Sequence, residues 1–125
     1  MKRRTFIFGI LTAAAMLLAG TSPAMAARLV SVEADAGQEQ VTREGNFRLS
    51  EQTRVEISYN ANVQANGQAL VHVERKLPNG QWQRINTPLN TDSSERGKHQ
   101  MTLHAGEYRV VIVATNAQVS VTVDN

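Results

Sequence analysis

The sequence predicts an all-β protein, an antiparallel β-sandwich of seven or eight strands that follows a cleaved N-terminal signal peptide. Three observations support this fold class. After residue 26, apolar and polar residues alternate with a period of two, as in strands with one buried and one solvated face. β-Branched residues dominate the apolar set, and no segment has the 3.6-residue repeat of an amphipathic helix. Turn signals that contain Asn and Gly separate the apolar segments.

The first 26 residues have the three parts of an export signal. Residues 2–4 are basic, residues 6–19 are almost unbroken apolar, and small residues precede a cleavage site between Ala26 and Ala27. The apolar run of 14 residues is shorter than the roughly 18 to 20 that span a bilayer. We therefore expect export to the bacterial periplasm or out of the cell. The Arg3-Arg4 pair also resembles a twin-arginine signal, but the Sec route is favoured because Lys2 precedes the pair.

The basic charge of the chain belongs to this signal. Of the 13 Lys and Arg residues, three lie in the signal, so 10 basic and 11 acidic side chains remain, a net charge of −1. The remaining arginines are scattered among carboxylates instead of forming the basic patch that a nucleic acid requires. We expect a single domain, residues 27–125, that is monomeric, binds no nucleic acid and does not insert into a membrane after signal removal.

The alternating segments predict individual strands. Residues 53–63 place Val55, Ile57 and Tyr59 on one face and polar residues on the other, and residues 118–124 repeat this pattern. Shorter pieces of the same kind lie around Phe47 and Met101. Residues 108–115 contain four consecutive β-branched residues, which is typical of a central strand covered on both faces.

The turn signals predict where these strands end. Pro78-Asn79-Gly80 predicts a hairpin, because Asn and Gly adopt positive φ at low cost. Asn66-Gly67, Ala105-Gly106 and Asn116-Ala117 are interpreted as further turns between strands. The segment from Thr87 to Lys98 is rich in Ser, Thr, Asn and charge, and is expected to be a long irregular loop.

Several of these segments resemble the bacterial pre-peptidase C-terminal domain. The similarity rests on residues 47–50 (FRLS), on residues 53–57 (TRVEI), on the hairpin at Asn79-Gly80 and, above all, on residues 103–110 (LHAGEYRV). It extends from about Phe47 to Val123. The resemblance implies a jelly-roll-like β-sandwich, related in architecture to the immunoglobulin-like sandwiches, with a non-catalytic accessory role beside secreted hydrolases.

The sequence contains no catalytic signature. The chain has no Cys, and no Ser lies in a Gly-x-Ser-x-Gly elbow. The three histidines, His72, His99 and His104, show no metal-ligand spacing, and His72 is expected on the wet face of its strand beside Glu74. Residues 90–95 place oxygen-bearing side chains at alternate positions, as a calcium-binding loop does, but they lack the Gly that such a loop needs at its sixth position. We expect no cofactor and no bound metal.

Trp82 and Arg84 are the candidate ligand contacts, because they share one face of the strand after the hairpin. An exposed Trp82 would suit sugar stacking or a protein contact. An inward Trp82 is favoured, since a lone Trp is usually highly buried. Tyr59 and Tyr108 are expected in the core.

The sequence therefore predicts a non-catalytic exported protein that binds a protein or a polysaccharide. Two alternatives remain open at this point. One is a structural or stress-related envelope protein. The other is an inhibitor of an exported hydrolase, which would insert the loop from Thr87 to Lys98 into its target.

Overall fold

Six antiparallel β-strands make up the fold in the computed structural model, which describes residues 27–125. The strands are β1 (Arg28–Ala36), β2 (Val41–Leu49), β3 (Thr53–Lys76), β4 (Trp82–Thr91), β5 (Glu95–Leu103) and β6 (Gly106–Asp124). The all-β, antiparallel prediction is confirmed. The predicted count of seven or eight strands is wrong, because two strands run on through positions interpreted as turns. The predicted signal peptide, residues 1–26, lies outside the described residues.

The two long strands, β3 with 24 residues and β6 with 19, pair with each other and hold the sheet together. Residues 53–63 of β3 and 117–124 of β6 are flanked by β5 and β1, and we call this part the β1/β5 half. Residues 68–76 of β3 and 106–114 of β6 are flanked by β4 and β2, which form the β2/β4 half. Each half therefore has four strand segments. Residues 27–125 contain no helix with the length and apolar character of a membrane span.

The corner between the halves lies at the positions that were interpreted as turns. The β3–β6 register shifts between Val63 and Gln68, and Asn66 and Asn116 have φ angles of 62° and 45°. Both asparagines adopt the left-handed conformation, which Asn tolerates better than most residues. Asn66-Gly67 and Asn116-Ala117 therefore bend continuous strands instead of ending them, which corrects the prediction.

The predicted loop from Thr87 to Lys98 is wrong. Residues 87–91 continue β4, residues 95–98 begin β5, and only residues 92–94 lie outside a strand. Leu89, at 2% exposure, anchors the segment in the core. Polar side chains are expected at most other positions because β4 and β5 are edge strands. The hairpin at Pro78-Asn79-Gly80 is confirmed between β3 and β4, where Gly80 has a φ of 87°.

One hydrophobic cluster contains the inward side chains of both halves. Val55, Ile57 and Val121 contribute from the β1/β5 half, and Val110 and Ile112 from the β2/β4 half. In the apolar run of β6, Val110 and Ile112 belong to the core, whereas Val111 is buried on the opposite face beside its partner His72.

The two tyrosines differ in depth. Tyr108 is buried, stacks on Phe47 with 5.4 Å between ring centroids, and donates a 2.7 Å hydrogen bond to the carbonyl of His104. Burial raises the pKa of Tyr108. Tyr59 is half-buried against the core. The core placement is thus confirmed for Tyr108 and holds in part for Tyr59.

Candidate binding surfaces

Trp82 and Arg84 lie on the outer face of the β2/β4 half. Trp82 pairs with Lys76 and Arg84 with Glu74, positions that alternate with the buried Val73. The two side chains share a face, as the sequence predicts. The favoured inward orientation of Trp82 is wrong, because the indole is half-buried on the outer surface.

Arg109 covers the Trp82 ring and connects it to a carboxylate pair. The guanidinium carbon lies 4.4 Å from the ring centroid, a cation–π geometry. Arg109 Nε donates a 2.5 Å hydrogen bond to Glu74 Oε1, and Nη1 lies 3.4 Å from Glu44 Oε2. One surface of the ring is therefore occupied by a side chain of the protein itself. We call Trp82, Arg109, Glu74, Glu44 and His72 the Trp82 cluster.

His72 is the buried member of this cluster. Its Nε2 lies 3.0 Å from Glu74 Oε2, and only 4% of the residue is exposed. The predicted solvated position is wrong: His72 does face outward, but it pairs with Val111, which is buried on the same face. Its Nδ1 is buried with no hydrogen-bond partner among the described residues.

The electrostatics of the cluster keep His72 neutral and Glu74 charged. Burial lowers the pKa of His72, and the Arg84 charge lowers it further against the opposing effect of Glu74. Burial alone would raise the pKa of Glu74, but the hydrogen bond and charge of Arg109, together with His72, lower it overall. The cluster is therefore a network of ion pairs between Arg109 and two carboxylates, with a neutral imidazole beneath it whose Nδ1 has no partner among the described residues.

A polar groove of about 950 Å³ lies on the outer face of the β1/β5 half. Cross-strand pairing arranges its side chains in rows. One row consists of Glu33, Ser120, Asn60 and Arg96, and the next consists of Asp35, Gln118 and Asn62. These rows alternate with the buried positions Ala34, Ala61 and Val119, so their side chains project away from the core.

Most polar groups of the groove are not engaged with the rest of the protein. None of the charged groove residues, including Glu33, Asp35 and Arg96, makes an ion pair within residues 27–125. Asn62 is the exception among the amides, because Ser94 Oγ donates to its Oδ1 at 3.3 Å. The groove thus offers donors and acceptors to solvent or to a ligand.

Sequence reasoning identified the wet faces of β3 and β6 but did not identify the groove. Alternation places Asn60, Asn62 and Gln118 on solvated faces, yet it does not show that β3 and β6 are neighbours. The contribution of β1 was missed entirely, and Arg96 was assigned to a loop. The register across four strands is the missing information, and no local sequence signal contains it.

The histidines and carboxylates do not form a metal centre in the described part of the chain. Residues 27–125 contain no group of three His, Asp or Glu side chains that could hold a metal ion. His72 lies on β3, His99 on β5, and His104 in the turn before β6.

Comparison with known proteins yields only distant similarities. No family model and no curated protein matches the chain. A solved structure titled Family 16 Carbohydrate Binding Module-2 has a TM-score of 0.41 and 17% identity, and the match covers 72% of this chain and 70% of that chain. The mitogen derived from Yersinia pseudotuberculosis has a TM-score of 0.33 and 12% identity, with 70% and 84% covered. These likenesses are too distant to assign the chain to a family.

Proposed function

We propose that this chain is an exported, non-catalytic protein that binds a polysaccharide, in the bacterial envelope or outside the cell, through the polar groove. The observation that carries the proposal is the groove itself, in which amide, hydroxyl and charged side chains from neighbouring strands project side by side. Its volume of about 950 Å³ falls within the range of ligand sites, roughly 300 to 1,000 Å³. Amide and hydroxyl side chains both donate and accept hydrogen bonds, which matches the hydroxyl groups of sugars.

The composition of the groove favours a polysaccharide over a protein partner. Protein interfaces have an apolar, often aromatic, centre surrounded by a polar rim. The four central positions of the groove are Asn60, Asn62, Gln118 and Ser120, and none of them is apolar. All four project from paired strands, which supports a preorganised site with a small entropic cost of binding.

The Trp82 cluster is the second candidate surface. Trp82 and Arg84 remain predicted ligand contacts, and a partly exposed aromatic ring beside an exposed Arg suits a protein partner. We place the cluster behind the groove as a binding site, because Arg109 already covers one surface of the Trp82 ring. The guanidinium of Arg109 is itself paired with two carboxylates of the protein, Glu44 and Glu74. The alternative of a hydrolase inhibitor required a long loop, residues 87–98, that inserts into the target. Most of this segment belongs to β4 and β5, so the structure does not support that alternative.

Export and the finer fold class belong to the same proposal. Cleavage between Ala26 and Ala27 would leave every strand intact, because β1 begins at Arg28. The two halves of the sheet each have four strand segments and share one core, which supports a jelly-roll-like sandwich. The resemblance to the pre-peptidase C-terminal domain stays a proposal. Cell fractionation and N-terminal sequencing test the export step, and the expected mature N-terminus is Ala27.

The binding step is tested with purified residues 27–125 and a panel of soluble and insoluble glycans. Affinity electrophoresis or calorimetry should show binding that weakens in Asn60→Ala and Gln118→Ala. Each loss should be roughly two- to tenfold, the usual range for a net hydrogen bond. Asn46→Ala and Asn90→Ala are matched controls, because both amides are exposed on strands of the other half, and they should leave affinity unchanged.

The single Trp distinguishes the two surfaces. A glycan in the groove should leave Trp82 fluorescence unchanged, since Trp82 lies on the β2/β4 half. Strong quenching, together with full affinity in Asn60→Ala, would move the site to the Trp82 cluster. Absence of binding to every glycan would contradict the polysaccharide proposal and favour a structural envelope role.

A further inference from the structure

The two edges of the β1/β5 half carry charges of opposite sign. Glu33 and Asp35 project from β1 at one edge, two residues and therefore about 7 Å apart. Arg96 and Lys98 project from β5 at the other edge, also two residues apart. Pairing places Glu33 and Arg96 in one row, separated by the segments of β6 and β3. The distance from β1 to β5 is three strand spacings, so Glu33 and Arg96 are about 14 Å apart along the row.

The residues between these edges are neutral. Ser120 and Asn60 lie between Glu33 and Arg96, and the adjacent row contains Gln118 and Asn62 after Asp35. Glu95 also lines the groove at the β5 end, but it lies in the row of the buried Ala61, whereas Arg96 lies in the outward row of Asn60. Lys98 lies next to the groove, two residues beyond Arg96. A ligand that crosses the strands would therefore meet two carboxylates at one end, amides and hydroxyls in the middle, and Arg96 at the other end.

These edge charges are available to a ligand. Glu33, Asp35 and Arg96 are exposed and make no ion pair within the described chain, and Lys98 has only a 3.8 Å contact with Glu56. Arg43 of β2 also lines the groove, where its guanidinium donates to the carbonyl of the neighbouring Thr42. On the other half, Arg109, Arg48 and Lys76 have carboxylate partners.

We propose that the groove selects a zwitterionic polysaccharide, with amino groups toward β1 and carboxylates toward β5. This inference rests on the proposed function and names the class of glycan that the same groove takes. Opposite charges at the two edges orient the ligand across the strands, because the reversed orientation places like charges together. A uniformly charged glycan gains at one edge and is repelled at the other.

Three oligosaccharides of equal length test the charge preference. They are N-acetylated chitooligosaccharide, which is neutral, its deacetylated form, which carries amines, and its O-carboxymethylated, deacetylated form, which carries amines and carboxylates. Calorimetry is done at low salt and at a pH at which the amines are protonated. The zwitterionic oligomer should bind roughly tenfold more tightly than the neutral one, given the modest strength of each exposed ion pair. Added salt should remove this difference.

Two double variants assign the edges. E33Q/D35N should lower affinity for both amine-bearing oligomers and leave the neutral oligomer unchanged. R96Q/K98Q should remove the gain that comes from the carboxymethyl groups and should strengthen binding of the deacetylated oligomer, whose amines the two cations repel. E39Q/E51Q is the matched control, because Glu39 and Glu51 are exposed in turns outside the groove, and it should have no effect.

The outcomes separate this inference from the function on which it rests. If the neutral oligomer binds as tightly as the zwitterionic one, or if the double variants weaken all three oligomers equally, the charge-selection proposal is overturned while glycan binding stands. If none of the three oligomers and no other glycan binds, both proposals fail.

Discussion

Single residues on the outer face of the β2/β4 half depart from the simple alternation of buried and solvated positions. Val111 and His72 form a cross-strand pair there, and both are buried although they face away from the core. The imidazole is hydrogen-bonded to Glu74 on one side, while its Nδ1 has no partner within the described chain. A proton added to this ring would place a third positive charge beside those of Arg109 and Arg84.

We therefore predict that His72 makes the protein less stable in mild acid. Burial and the Arg84 charge lower the pKa of folded His72 below its ordinary value of 6.5. As pH falls through 6.5, the unfolded chain binds a proton that the folded chain does not bind. The free energy of unfolding should thus decrease from about pH 8 to pH 5, the range in which His titrates. Urea denaturation at several pH values measures this slope.

A His72→Leu variant should lose most of that slope, whatever its absolute stability. The double variant His99→Gln/His104→Gln keeps His72 and should retain it. Glu74 affects stability in a more acidic range. Its pKa in the folded protein is lowered from 4.5, so its contribution to the free energy of unfolding is lost only as the carboxylate is protonated below that value. An unchanged slope in His72→Leu would show that another group causes the acid sensitivity.

At the scale of elements, the corner in β3 and β6 decides the architecture. Gly67 is buried at this corner, and a Cβ on it would lie 2.4 Å from the carbonyl oxygen of Asn116 and 2.9 Å from those of Gln64 and Thr115. All three neighbours are backbone atoms of the two long strands, so they cannot rotate away. The close approach of β3 and β6 therefore requires glycine.

Gly67→Ala should destabilise the protein by about 3 kcal/mol, the upper part of the usual range for overpacking. The reason is that the added methyl group forces the two strands apart. Thermal or urea denaturation measures the loss. Gly37→Ala is the matched control, since a Cβ at Gly37 has no atom within 4 Å, and it should change stability little. Equal stability of the two variants would mean that the corner adjusts easily.

The elements that could be predicted are the central ones. Alternation identified the first part of β3 and the last part of β6, where one face is mostly buried and the other mostly solvated. Edge strands were missed or shortened: β1 has only three buried positions, and polar residues dominate β4 and β5. Asn-Gly at residues 66–67 has the chemistry of a turn, and only tertiary packing makes it a bend within a strand.

The candidate site is a property of the whole molecule. Asn60 and Gln118 are far apart in the sequence, and their place in one groove follows from the pairing of the long strands. Trp82 could be singled out from the sequence, but its contact with Arg109 depends on β4 and β6 lying on either side of β3. Local sequence patterns therefore identify candidate contact residues, whereas the strand topology determines which of these residues lie next to each other.

The shared core predicts that the two halves unfold together. Ile57 in the β1/β5 half and Ile112 in the β2/β4 half are both fully buried in one cluster. The edges also interlock, because a Cβ on Gly45 of β2 would lie within 2.7 Å of side-chain atoms of Val30 and Val32 of β1. Neither half can therefore lose its packing without exposing the apolar face of the other.

Ile57→Ala tests this coupling, because Trp82 reports on the half that does not contain Ile57. The substitution should lower the free energy of unfolding by about 3 kcal/mol, the usual cost of such a cavity. Trp82 fluorescence and far-UV circular dichroism should show the same lowered midpoint, as in a two-state transition. Ile112→Ala, in the same half as Trp82, is the matched comparison. A fluorescence midpoint that stays at the wild-type value in Ile57→Ala, while the circular dichroism midpoint falls, would mean that the halves unfold independently.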